Sequence, residues 1–194
     1  MAEIPPEYRK QEPPIQVVTG NKCIVTGMGP TLMDDFLRAR NHLKKGPYGF
    51  NVMGVNRSCQ YIKTDENFTL DRDNAQYWRS VAINEKASWH SGQPAATRTH
   101  RHYPWIDYWW PMVQGSGTSA WGAAKVALMM GYEAVILAGC PLVQGPYADG
   151  VYAKTFQQDM KTIRHMQEVI KQDEWLHPHV RSMSGWTKDF LGGP

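Results

Sequence analysis

Residues 115–140 read GSGTSAWGAAKVALMMGYEAVILAGC, and the fold turns on this stretch. A cluster of glycine and hydroxyl residues runs into small and apolar ones, breaks at Gly131, and resumes as AVILAG. Thr118 or Ser116 is a good N-cap, so a helix is predicted over 119–130 with Gly131 as its C-terminal stop. AVILAG at 134–139 has no polar alternation, which is how a strand buried on both faces reads.

The same order recurs earlier in the chain. KCIVTG at 22–27 is a short apolar run, GMGP at 27–30 a glycine-rich turn, and Leu32, Phe36 and Leu37 then recur at helical spacing. NVMGVN at 51–56 reads as a second strand. YWRSVAI at 77–83 reads as a third, and residues 83–105 as one long loop of the kind that often carries binding residues. IDYWWPMV at 106–113 is β-prone, with Pro111 marking an edge or a strand end. A helix over 153–172 shows Phe156, Met160, Ile163, Met166 and Ile170 on one face. HVRSM at 179–183 and a helical turn over GWTKDFL complete the series. Strands alternating with helices predict an α/β fold, a single-domain Rossmann-like three-layer sandwich with a mostly parallel sheet.

That domain is expected to span 21–194. Residues 1–20 carry Pro5, Pro6, Pro13 and Pro14 among charges and predict an extended N-terminal arm, packed on its own domain or exchanged in a homo-oligomer. Hydrophobic residues make up 42% of the 194 and charged residues 20%, enough for a core and against global disorder. A net charge of +3 is too small to imply nucleic acid, and no apolar run is long enough for a signal peptide or a membrane helix. Cys23, Cys59 and Cys140 are scattered and odd in number, which reads as reduced thiols in a cytoplasmic protein without a structural metal.

The candidate site follows from the turns. Gly27, Gly29 and Thr31 sit where a strand opens into a helix, either to let a phosphate approach or simply to make the turn. Ser116, Thr118 and Ser119 either cap the next helix or meet a ligand there. Asn56 ends the second strand at the edge where open α/β sheets bind ligands, where it either meets a ligand or only caps the following turn. Tyr147, in QGPYADG, lies on another loop of that edge. RTHRHYPW at 98–105 gathers His100 and His102, a residue type suited to acid–base work, beside arginines suited to anions; the alternatives are a histidine metal pair and a solvated surface loop.

Taken together, GMGPTL, VNR at 55–57, the 115–140 block, YAD at 147–149 and VRSMS at 180–184 resemble the bacterial sialyltransferases of glycosyltransferase family 42. The resemblance extends to the pterin pyrophosphokinase-like Rossmann family and its short, often phage-encoded members. It implies binding of a nucleotide or nucleotide-sugar, CMP-sialic acid in the sialyltransferases, with the nucleotide as leaving group and no obligatory cofactor or metal. By that resemblance Gly27, Gly29 and Thr31 lie against the nucleotide, and Asn56 contacts phosphate or sugar. Thr118 and Ser119 hold sugar or ribose, and Tyr147 bonds the departing phosphate. The chain departs from the pattern in three places. Val143 stands where the family has a second phosphate-binding tyrosine, Pro141 where it has an aspartate, and no histidine falls at 150–158, leaving His102 and His100 as candidates for the base. The alternatives are a non-catalytic phage-type binding or assembly protein, in host cytoplasm or virion, and a pyrophosphokinase-like transferase. The acceptor is not specified by any of these residues.

Overall fold

The computed structural model describes residues 21–44, 49–92, 103–111, 117–150 and 159–194. The proposed arm at 1–20, Ser116, and the first part of the 153–172 helix lie outside them, as do His100 and His102.

Seven strands form one sheet in the order β5-β4-β3-β2-β1-β6-β7. They are β1 Lys22–Thr26, β2 Phe50–Val55, β3 Glu66–Thr69, β4 Ser88–Gly92, β5 Tyr108–Trp110, β6 Ala134–Ala138 and β7 Val180–Ser182. Every pairing between them is parallel. β1 is the hub: Ile24 lies opposite Val52 on one side and Ile136 on the other. From β1 the chain works outward through β2 to β5, then returns to place β6 on the opposite flank. Connections therefore diverge beside β1, and the crevice where they part is where doubly wound sheets take ligands.

The helices are α1 Leu32–Lys44, α2 Arg72–Ser80, α3 Ser119–Met129, α4 Met160–Gln172 and α5 Gly185–Leu191. Alternate residues of β1 sort them into layers. Ile24 packs with Ala39 and Leu43 of α1, whereas Cys23 and Val25 pack with α3 and with Ile170 of α4. α2 joins Trp89 through Ala75 and Trp78. α3 is sandwiched so completely that every residue from Trp121 to Met129 is buried. Its Gly122, Ala123 and Ala124 keep it slim enough to lie on the sheet. The α/β three-layer fold with a parallel sheet is thus as the sequence predicts.

Three local expectations are corrected. YWRSVAI is the end of α2 followed by Val81 at its C-cap, not a strand. Short apolar runs fit either period, and here Ala75 and Trp78 face the core one turn apart. The expected long loop contains β4, and β3 lies in a region where the sequence reading predicts no element. Both strands hide because most of their buried side chains are polar, with Phe68 and Trp89 each flanked by buried polar neighbours. His90 bonds Glu66, Ser91 donates to the Thr69 carbonyl, and Thr64 donates to Asn67. A buried polar group that is hydrogen-bonded is tolerated, but it erases the apolar run that marks a core strand.

Candidate functional site

The carboxyl ends of β1, β2, β3 and β6 open into a cavity of about 480 Å³, bounded on one side by the start of α3 and on another by Thr187 of α5. Gly27, Gly29, Asn56, Thr118, Ser119 and Tyr147 all line it. Residues spread over 120 positions thus meet in one crevice because the strands end on one edge. Asp71, Leu70, Pro141, Leu142 and Val143 complete much of the wall.

The two glycine loops over β1 and β6 interlock. Gly27 N–H donates to the Ala138 carbonyl at 2.8 Å and Gly29 N–H to the Gly139 carbonyl at 2.7 Å. Those amides are engaged within the protein, so Gly27 and Gly29 form the cavity floor without offering an N–H to an anion. Gly139 adopts φ +65, and a Cβ there would fall 2.8 Å from the Gly27 carbonyl oxygen. The glycines are required by this backbone contact whether or not a ligand is present.

Thr31 is not among the lining residues. Its hydroxyl donates to Asp35 Oδ2 at 2.7 Å and lies 2.9 Å from Ser184 Oγ, tying α1 to the β7–α5 turn. Asp35 is buried, and Oδ2 also accepts from the Gly139 amide at 3.0 Å. The network fixes the floor from below.

The start of α3 differs. Thr118 is its N-cap, with the hydroxyl accepting from Trp121 N–H at 3.1 Å. Helix geometry leaves the N–H groups of Ser119 and Ala120 without an intrahelical acceptor, and both residues line the cavity. They supply the donors and positive helix end suited to an anion.

At the end of β2 Asn56 takes φ +53, in the left-handed region, as the strand turns into a short 3-10 helix, Asn56–Gln60. Its Nδ2 donates to Asp71 Oδ2 at 3.1 Å. Leu142, with φ +48, is a second non-glycine residue in that region, and there the side chain itself is unsuited to it. Tyr147 is half-buried, and the Arg57 guanidinium lies 4.9 Å above its ring. Arg57 also pairs with Asp149 at 2.9 Å, which fastens the 142–150 loop to the end of β2. Burial pushes the Tyr147 phenol above its ordinary pKa, with the Arg57 charge opposing that shift.

Sequence reading missed Asp71, Leu142 and Thr187. Asp71 carried a usable signal, because it too follows a strand and opens a helix, as Asn56 follows β2. Among the described residues no group of three His, Cys, Asp or Glu side chains is arranged to hold a metal ion. No helix among them is long and apolar enough to cross a membrane.

No protein-family model and no curated protein sequence matches the chain. Among solved structures, the crystal structure of the monofunctional α-2,3-sialyltransferase Cst-I from Campylobacter jejuni is similar, with a TM-score of 0.55 at 12% identity. The similarity covers 90% of this chain and 79% of that one. At that identity the likeness is one of fold alone, the parallel α/β sandwich that both chains share.

Proposed function

We propose that the chain is a nucleotide- or nucleotide-sugar-binding domain of the glycosyltransferase type, with its ligand in the cavity at the carboxyl edge. The observation that carries this reading is the meeting of Asn56, Thr118, Ser119 and Tyr147 around one 480 Å³ cavity at the point where the strand order diverges. A cavity of that size suits a nucleotide. The anionic part lies at the start of α3, where Thr118 sets the helix end and Ser119 and Ala120, whose amides have no intrahelical acceptor, line the cavity. Tyr147 steadies a departing phosphate from the opposite loop, its phenol kept protonated by burial and therefore able to donate. In transfer, the bond from sugar carbon to phosphate oxygen breaks, a bond to the acceptor oxygen forms, and the acceptor's proton passes to a base. Such chemistry has no obligatory metal. His102 and His100 remain the sequence-based candidates for that base.

A thermal-shift panel of nucleotides and nucleotide-sugars, including CMP and CMP-sialic acid with and without magnesium, tests the reading. A ligand at about 100 times its dissociation constant stabilises the fold by about 2.7 kcal/mol. Thr118→Ala and Tyr147→Phe are expected to weaken a hit. If both leave affinity untouched, the ligand is elsewhere. A flat panel overturns the nucleotide reading in favour of the non-catalytic alternative, and magnesium-dependent binding of ATP alone would favour the pyrophosphokinase-like one.

A further inference from the structure

The part of the cavity wall at the ends of β2 and β3 has the reverse hydrogen-bonding character, and it centres on a residue outside the sialyltransferase-like motifs. Asp71 is the N-cap of α2, a position where aspartate ordinarily accepts from the amides of the first turn. Here its side chain makes no capping bond. The carboxylate instead accepts from Asn56 Nδ2 and lines the cavity. It is the one charged side chain among the described lining residues.

Asn56 adds a second acceptor. With Nδ2 committed to Asp71, its Oδ1 is buried and has no hydrogen-bond partner among the described residues. An acceptor left in that state is destabilising until a donor reaches it. The left-handed backbone that carries Asn56 adds strain of the kind that clusters at binding sites. The Asp71 charge also contributes to raising the Tyr147 phenol.

Amide donors thus stand at the α3 side, and two acceptors, Asp71 and Asn56 Oδ1, at the β2–β3 side. A ligand complementary to both has an anionic end and a hydroxyl-bearing end. We propose that Asp71 and Asn56 form a hydroxyl-reading subsite, in which carboxylate and amide oxygen accept hydrogen bonds from the hydroxyls of a sugar ring. The ring is either the ribose of a nucleotide or the sugar it carries, since both present the same donors. This assignment rests on the nucleotide-binding reading above.

The test uses the full chain and Asp71→Ala, Asp71→Asn and Asn56→Gly variants. Calorimetric titration would compare CMP, UMP, AMP and GMP with their 2′-deoxy and 2′,3′-dideoxy forms, and CMP-sialic acid with CMP. Because the Asp71 side chain caps nothing, Asp71→Ala is expected to leave the melting temperature of the unliganded protein within a degree or two. Glycine accepts a positive φ, so Asn56→Gly is expected to fold as well. If the ring is ribose, the wild-type protein prefers the ribonucleotide by about tenfold or more over its deoxy forms. Asp71→Ala then binds the ribonucleotide about 10–100-fold more weakly and treats the three forms alike, as expected for a lost hydrogen bond to a charged group. If the ring is the carried sugar, the loss falls on CMP-sialic acid and spares CMP. Nucleotides bound equally well by wild type, Asp71→Ala and Asn56→Gly, with unchanged discrimination, would overturn the subsite and leave the nucleotide site standing. Wild-type protein that binds none of these ligands overturns both.

Discussion

Lys125 reaches Asp173 Oδ2 at 2.8 Å from the middle of an otherwise apolar helix, with only 2% of its side chain exposed. The same oxygen accepts from Trp121 Nε1 at 2.7 Å, so one carboxylate serves two groups one turn apart on α3. It pins α3 to the end of α4 directly behind the cavity wall formed by Trp121 and Ile170. Asp173→Ala removes an acceptor that a buried cation and a buried indole share and is expected to cost about 3 kcal/mol. Replacing Lys125 by Met leaves the Trp121 bond in place and is expected to cost much less. Urea unfolding of both variants gives the comparison, and equal losses would show that the ion pair itself accounts for what Asp173 contributes, the Trp121 bond adding nothing.

Gly139→Ala should be among the most damaging single changes on the cavity floor. It places a Cβ 2.8 Å from both the Gly27 carbonyl oxygen and Leu32 Cα, at a φ of +65. Strain and backbone displacement together predict a loss of about 2 kcal/mol or more. A melting temperature within a degree of wild type would mean that the β1 and β6 loops are not locked together.

Thr118→Ala is expected to lose about 1 kcal/mol of stability through its cap alone, without any ligand. Thr118→Ser keeps the hydroxyl and should recover most of that loss. Measured unliganded, this pair isolates the helix-end contribution, so any further loss of ligand affinity in Thr118→Ala can be assigned to binding.

The thiols predict an alkaline limb. Burial pushes Cys59 and Cys140 up to about 12 and Cys23 higher still. Unfolded, a thiol ionises near pH 8.5. A group whose folded pKa is raised contributes its full stability below the unfolded value and loses it as pH rises towards the folded one. Stability should therefore decline from about pH 9 towards pH 12, each thiol adding up to about 1.4 kcal/mol per pH unit. Denaturant titration at pH 8, 9 and 10 measures the slope, and Cys59→Ala should make it shallower. An unchanged slope in that variant would show that Cys59 ionises freely in the native state.

Legibility divided along chemical lines. β1, β2, β6 and α3 were readable because burial there is apolar, and an apolar run is what periodicity detects. β3 and β4 were not, because Asn67, Thr69, His90 and Ser91 break the apolar run, and His90 and Ser91 are buried by hydrogen bonding to partners about 20 residues away. The indole of Trp110 donates to His90 Nδ1 at 2.9 Å while Nε2 meets Glu66 at 2.8 Å, a set of partners on three strands that no local window contains. At the cavity the turn glycines were legible as turns, but their amide partners on the neighbouring loop were not. Thr31 shows the same limit, since its neighbour Ser184 is 153 residues away.

Thr187, two residues into α5, supplies part of the cavity wall and donates to the Cys140 carbonyl at 2.7 Å. The first lining residue in chain order is Gly27 and the last is Thr187, so the pocket spans almost the whole described sequence. During synthesis the sheet can begin to assemble around β1 and β2, yet the crevice remains open-sided until the ribosome has released α5. A ligand that recognises the finished pocket can therefore act only on a complete domain, and shortened chains ending before Gly185 would present the right motifs with no enclosed place to hold anything.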